Sequence, residues 1–122
     1  MPNMIKGKPL ILCVDDEENP LVLRKLVLEK AGYDVITARS AREALGMLSS
    51  QPIDLVISDH LMPGTTGAEL ARQIKAQHPL VPVVLISGLN EVPPGSSDAD
   101  VFLSKLEGPD HLCRKVAVLL GQ

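Results

Sequence analysis

Five short aliphatic runs recur along the chain, separated by amphipathic stretches: Leu10–Val14, Asp34–Ala38, Ile53–Ser58, Val81–Ser87 and Val101–Ser104. Apolar runs of this length suit strands buried on both faces of a parallel sheet. The stretches between them read as helices with legible ends. Asn19-Pro20 has the form of an N-cap and first helical position, and Ala31-Gly32 that of the matching stop. Ser40 with Glu43, and Thr66 with Glu69, fit the S/T-x-x-E capping box. His78-Pro79 closes the third helix, because the residue before proline disfavours α geometry. The last helix starts near Pro109 and carries Leu112, Val116, Leu119 and Leu120 on one face. Strand and helix in alternation predict a parallel α/β sheet with right-handed crossovers and helices on both faces.

One crossover breaks the rhythm. Only 12 residues, Leu89 to Asp100, separate Gly88 from Val101, and Pro93-Pro94-Gly95-Ser96-Ser97 lies in their middle. A helix of about 11 residues with loops of about 2–6 at each end needs more chain than that. The fourth helix is therefore expected to be missing or shortened to a turn.

Composition narrows the reading. At 122 residues the chain has the size of one domain, and with 2% aromatics its core must be filled by Val, Leu, Ile and Ala. Residues 1–8 are expected to form a flexible tail and 9–121 a single domain with no output domain. The net charge is −3 and lysines and arginines do not cluster, which argues against direct nucleic-acid binding. The run Leu10–Val14 is too short for a signal-peptide core or a membrane span, so a cytoplasmic location is expected. Cys13 and Cys113 have no partner at metal-binding spacing and read as small apolar core residues, not as a disulfide.

Parallel strands all end at one edge of the sheet, and ligands bind in the crevice outside those ends. Strand one runs into Asp15-Asp16, strand three into Asp59, strand four into Ser87-Gly88 and strand five into Lys105. Each has a bland reading: Asp15-Asp16-Glu17-Glu18 as a solvated helix start, Asp59 as a turn residue, Ser87 as a loop start, Lys105 as a surface lysine. Their convergence at four strand ends is far more specific than any one of them. Three close carboxylates repel one another unless a cation intervenes. Mg²⁺ characteristically takes one or two carboxylates together with waters and phosphate oxygens. It leaves a carboxylate able to attack phosphorus, while an ammonium and a hydroxyl offset charge on the phosphoryl oxygens.

At these residues the chain resembles the receiver domains of two-component response regulators, over nearly its whole length from Leu10 to Leu120. The motifs are Leu12-Cys13-Val14-Asp15-Asp16-Glu17, Asp59-His60-Leu61-Met62-Pro63-Gly64 with Gly67, Ser87-Gly88, and Phe102-Leu103-Ser104-Lys105. The resemblance implies a flavodoxin-like, doubly wound five-stranded sheet in the order 2-1-3-4-5. It implies Asp59 as phosphoacceptor, with Ser87 and Lys105 as the hydroxyl and ammonium that assist. It implies Mg²⁺ held by Asp16, by Asp15 directly or through water, by Asp59 and by the backbone carbonyl of Leu61. Ser87 and Phe102 would form the switch pair, the aromatic following the hydroxyl inward on phosphorylation. The implied partners are a sensor histidine kinase or phosphotransfer protein and an unknown downstream protein, with neither membrane nor nucleic acid bound directly and the chain a monomer or weak dimer. Such a protein is a switch that assists its own phosphorylation and dephosphorylation, not an enzyme.

Two features depart from the family pattern. The fourth crossover is short, and Leu106 stands where the family has a cis proline. A cis bond before leucine would cost about 2.5–4 kcal/mol, so a trans bond and an altered loop around Lys105 are expected. Leu61 and Leu89 are apolar where hydrolytic water would pass, which suggests slow self-dephosphorylation. A competing reading is a receiver-like adaptor that docks a partner without phosphorylation. An enzyme of flavodoxin type would need a phosphate loop after strand one, where this chain has four acids. A haloacid-dehalogenase type would need a second aspartate two positions after its nucleophile, and neither Glu17 nor Leu61 is one. No P-loop is present.

Overall fold

The computed structural model describes residues 7–88 and 98–122. Among them the chain runs β1 (Leu10–Val14), α1 (Glu18–Lys30), β2 (Asp34–Ala38), α2 (Ala41–Ser50), β3 (Leu55–Asp59), α3 (Gly67–Gln77), β4 (Val83–Ser87), β5 (Val101–Ser104) and α4 (Pro109–Leu119). The strands form one parallel sheet in the order β2-β1-β3-β4-β5. Two aliphatic layers cover it. Ile11, Cys13, Leu55, Ile57, Val84, Ile86 and Leu103 face Leu21 and Leu28 of α1 and Leu112 and Val116 of α4. Leu12, Val14, Val56 and Val83 face α2 and α3. The alternation along each strand thus feeds two cores, which is why the runs read as continuously apolar.

The expected ends hold with instructive exceptions. Ser40 Oγ accepts the Glu43 N–H at 3.1 Å and Thr66 Oγ1 the Glu69 N–H at 3.1 Å, so both capping residues stand as read. Helix α1 stops in a Schellman motif: the Gly32 N–H donates to Glu29 and the Tyr33 N–H to Leu28, with Gly32 at φ 107°. Its start differs from expectation. The N-cap is Glu17, not Asn19, and Pro20 sits in the third helical position. Proline is tolerated there because the first four N–H groups of a helix have no intrahelical partner. Strands β3 and β4 begin two residues later than their apolar runs. Ile53 is buried but lies in a turn, its N–H on the Gln51 carbonyl, and Pro82 has no N–H to give a ladder.

Cys13 is fully buried and Cys113 partly so, both as free thiols. Burial pushes the Cys13 thiol up to about 12, so it is unreactive at neutral pH. The reading of a missing fourth helix falls on residues 89–97, and most of the expected N-terminal tail on residues 1–6. Both lie outside the described residues.

Candidate functional site

Three loops at the carboxyl edge build the site, and each is held by extending a strand ladder one step. The Asp15 N–H donates to the Ala38 carbonyl at 3.1 Å, beyond the end of β1. The Asp15 carboxylate then accepts the Glu17 N–H at 3.0 Å, turning the chain into α1. Arg39, just after β2, grips the Asp16 carbonyl with Nε at 3.2 Å and Nη2 at 2.9 Å. Beyond β3 the His60 N–H donates to the Ile86 carbonyl at 2.9 Å, and the Gly67 N–H returns to the His60 carbonyl at 2.8 Å. Gly67 is required by space: a Cβ there would lie 2.5 Å from the Asp59 carbonyl oxygen and 2.8 Å from His60 Cα. Beyond β5 the Lys105 N–H donates to the Ser87 carbonyl at 2.7 Å.

These loops bring Asp15, Asp16 and Asp59 together, with a carboxylate oxygen of each within 4.8 Å of the others. Asp15 is fully buried, Asp59 is 2% exposed and Asp16 is half-buried. Lys105 Nζ stands 3.0 Å from Asp59 Oδ1, an ion contact whose alignment falls short of a hydrogen bond. Burial pushes the Asp59 carboxyl above the ordinary range; Lys105 pulls it part of the way back, and Asp15 adds to the rise. Such a buried, under-neutralised cluster of hard oxygen donors fits a divalent ion such as Mg²⁺.

Ser87 ends β4 and is buried. Leu85 pairs with Phe102 and Ser87 with Ser104, which places Ser87 and half-buried Phe102 on one face of the sheet. Leu61 is 63% exposed just beyond the acidic cluster, and Leu89 lies outside the described residues. No cis bond occurs among the described residues, so Lys105–Leu106 is trans as expected. The Leu106 N–H donates to Ser104 Oγ at 3.1 Å, a bond closed to proline.

Sequence reasoning missed two arginines. Arg39 gave no signal, being one of several exposed cations. Arg24 did: it falls at i+3 from Leu21 and i−4 from Leu28, in the buried stripe of α1, where the period calls for an apolar residue. Its guanidinium lies 3.5 Å from Asp15 Oδ2, with the side chain 10% exposed.

The family pattern of the response regulator receiver domain matches residues 11–117. The chain belongs to this family. Receiver domains are the signalling switches of two-component systems; they bind Mg²⁺ at an acidic pocket and interact with histidine kinases or phosphotransfer proteins. The chain is 32% identical over 114 residues to the alkaline phosphatase synthesis transcriptional regulatory protein PhoP of Bacillus subtilis, covering 90% of this chain and 48% of that protein. It is 38% identical over 89 residues to the C4-dicarboxylate transport transcriptional regulatory protein DctD of Rhizobium meliloti, covering 73% of this chain and 19% of that one. It thus spans about half, or less, of these relatives. Among solved structures, the response regulator TrrA of Thermotoga maritima in complex with Mg²⁺-BeF superposes with a TM-score of 0.87 at 36% identity, covering 92% of this chain and 99% of that one. Chemotaxis protein CheY4 of Vibrio cholerae gives 0.84 at 29%, covering 93% and 100%. The receiver fold is therefore that of the sheet order read above. No helix among the described residues is long and apolar enough to cross a membrane.

Proposed function

We propose that this receiver domain, residues 9–121, accepts a phosphoryl group on Asp59 from a histidine kinase or phosphotransfer protein. The observation that carries the reading is the buried Asp59 carboxylate, packed against Asp15 and Asp16 and paired with Lys105 at 3.0 Å. In the transfer an Asp59 carboxylate oxygen attacks phosphorus, a P–O bond forms, and the P–N bond to the donor imidazole breaks. The imidazole nitrogen keeps the electron pair and takes a proton from solvent. Lys105 offsets charge on the phosphoryl oxygens, and the Ser87 hydroxyl is the group on the next strand end able to donate to them. Asp15, Asp16, Asp59 and the Leu61 carbonyl would hold Mg²⁺, which when bound supplies positive charge to the phosphoryl oxygens. Burial of Asp59 limits competing access by water.

The output side of the switch is Ser87 with Phe102, which share a face of neighbouring strands. Movement of the hydroxyl toward a phosphoryl group would open space for the aromatic and change the surface around β5. A protein target reads that surface in this proposal.

Incubation with a small-molecule phospho-donor and Mg²⁺, followed by intact mass, tests the reading. One added phosphoryl group on wild type and none on Asp59→Asn is the expected result. No label on wild type would favour a phosphorylation-independent adaptor, and undiminished label on Asp59→Asn would place the acceptor elsewhere.

A further inference from the structure

An arginine whose side chain is only 10% exposed needs a reason, because removing a guanidinium from water is costly unless it is paired. Arg24 occupies the centre of the apolar stripe of α1, between Leu21 and Leu28, where an aliphatic side chain would pack without that cost. Among the described residues its charged partner is Asp15, fully buried, at 3.5 Å. Arg24 and Lys105 line the same groove between α1 and the β5–α4 segment, so two cations approach the acidic cluster from one side.

Charge balance assigns it a role. Three carboxylates against Arg24 and Lys105 leave one net negative charge in the bare site. A divalent ion carries the balance to one net positive. A dianionic phosphoryl group in place of the Asp59 carboxylate then returns it to zero. Without Arg24 the same states would stand at two negative, zero and one negative. The arginine therefore moves the neutral state from the metal-loaded resting site to the metal-loaded phosphorylated site.

We propose that Arg24 is a charge-balancing residue that weakens Mg²⁺ binding to the resting protein and strengthens retention of a phosphoryl group once metal is bound. The inference rests on the phosphoacceptor reading of Asp59 and adds a residue to it. Arg24 acts through the field it places on Asp15 and its neighbours, and Arg24→Lys, which keeps the charge, should behave like wild type.

The test uses Mg²⁺ alone and then beryllofluoride at saturating Mg²⁺, both by titration calorimetry, on wild type, Arg24→Met, Arg24→Lys and Asp16→Asn. Arg24→Met is expected to bind Mg²⁺ about tenfold more tightly and beryllofluoride about threefold more weakly, the scale of one charge acting on a doubly charged ion and on a singly charged one in a partly solvated site. Opposite signs for the two ligands are the diagnostic result, since loss of a merely structural residue would weaken both. Equal or weaker Mg²⁺ binding by folded Arg24→Met overturns the inference while leaving Asp59 chemistry intact, provided Asp16→Asn abolishes binding. No Mg²⁺ binding by any of the four proteins overturns the inference and the metal reading together. If Arg24→Met does not fold, the Arg24 Nε–H resonance of wild type decides. A shift on Mg²⁺ saturation supports electrostatic coupling of Arg24 to the metal through Asp15, and an unmoved resonance overturns it.

Discussion

The Asp59 carboxyl lies 2% exposed beside Asp15, and among the described residues only Lys105 faces it with opposite charge at contact distance. Its pKa is raised above the ordinary 3.8, chiefly by burial. A carboxyl raised in the folded state favours folding when protonated; that contribution is complete below the unfolded value and is lost as pH rises through the folded one. Asp59→Asn, neutral throughout, is therefore expected to melt about 3–8 °C above wild type near pH 7 in metal-free buffer. The gap should close as pH falls below about 4. Equal melting temperatures near neutrality would count against a buried, under-neutralised carboxylate. Gly67 is the second residue on which the site depends. Gly67→Ala would drive a Cβ to within 2.5 Å of the Asp59 carbonyl oxygen, a backbone atom with no freedom to yield. Urea unfolding should show a loss of about 1–3 kcal/mol or more. A neutral result would mean that α3 slides easily away from β3.

Among the elements, the segment after β5 is held by hydrogen bonds of its own. The Leu106 N–H on Ser104 Oγ and the Ser104 N–H on Glu107 Oε1 at 3.0 Å close a turn that proline could not complete. Leu106→Pro is expected to lower stability by about 0.5–1.5 kcal/mol through the lost hydrogen bond. Chemical denaturation checks this, and an increase in stability would show that the turn is not held by Ser104. At the opposite edge of the sheet, Lys75 of α3 bonds the Val81 carbonyl at 2.8 Å and Asp100 at 2.7 Å, while the same Asp100 oxygen accepts the Val83 N–H. This clamp ties the starts of β4 and β5 to α3, and so keeps in register the strands that end at Ser87 and Lys105.

On the scale of the whole molecule, a ligand that binds only the folded state stabilises it in proportion to the logarithm of its concentration. Mg²⁺ at about 100 times its Kd should add about 2.7 kcal/mol to wild type, and Asp16→Asn should lose most of that gain. A melting temperature indifferent to Mg²⁺ would speak against the metal site. Much of the architecture was legible beforehand. Aliphatic runs, Ser40 and Thr66 as caps, and the stop at Gly32 specify elements through contacts a few residues apart, which a linear reading captures. The acidic cluster was legible too, because parallel strands must deliver Asp15, Asp16, Asp59, Ser87 and Lys105 to one edge. Other features were set by neighbours distant in the chain. The start of α1 at Glu18 depends on the Asp15 carboxylate, and the placement of Asp16 depends on Arg39, 23 positions away. The need for glycine at 67 comes from the backbone of β3, and Arg24 reads as a misplaced cation until α1 lies across the end of β1. The sequence by itself therefore determined which groups meet at the sheet edge, since periodicity and topology suffice for that. Only the tertiary structure decided how their charges are balanced, since burial and distances of a few ångströms control that energy.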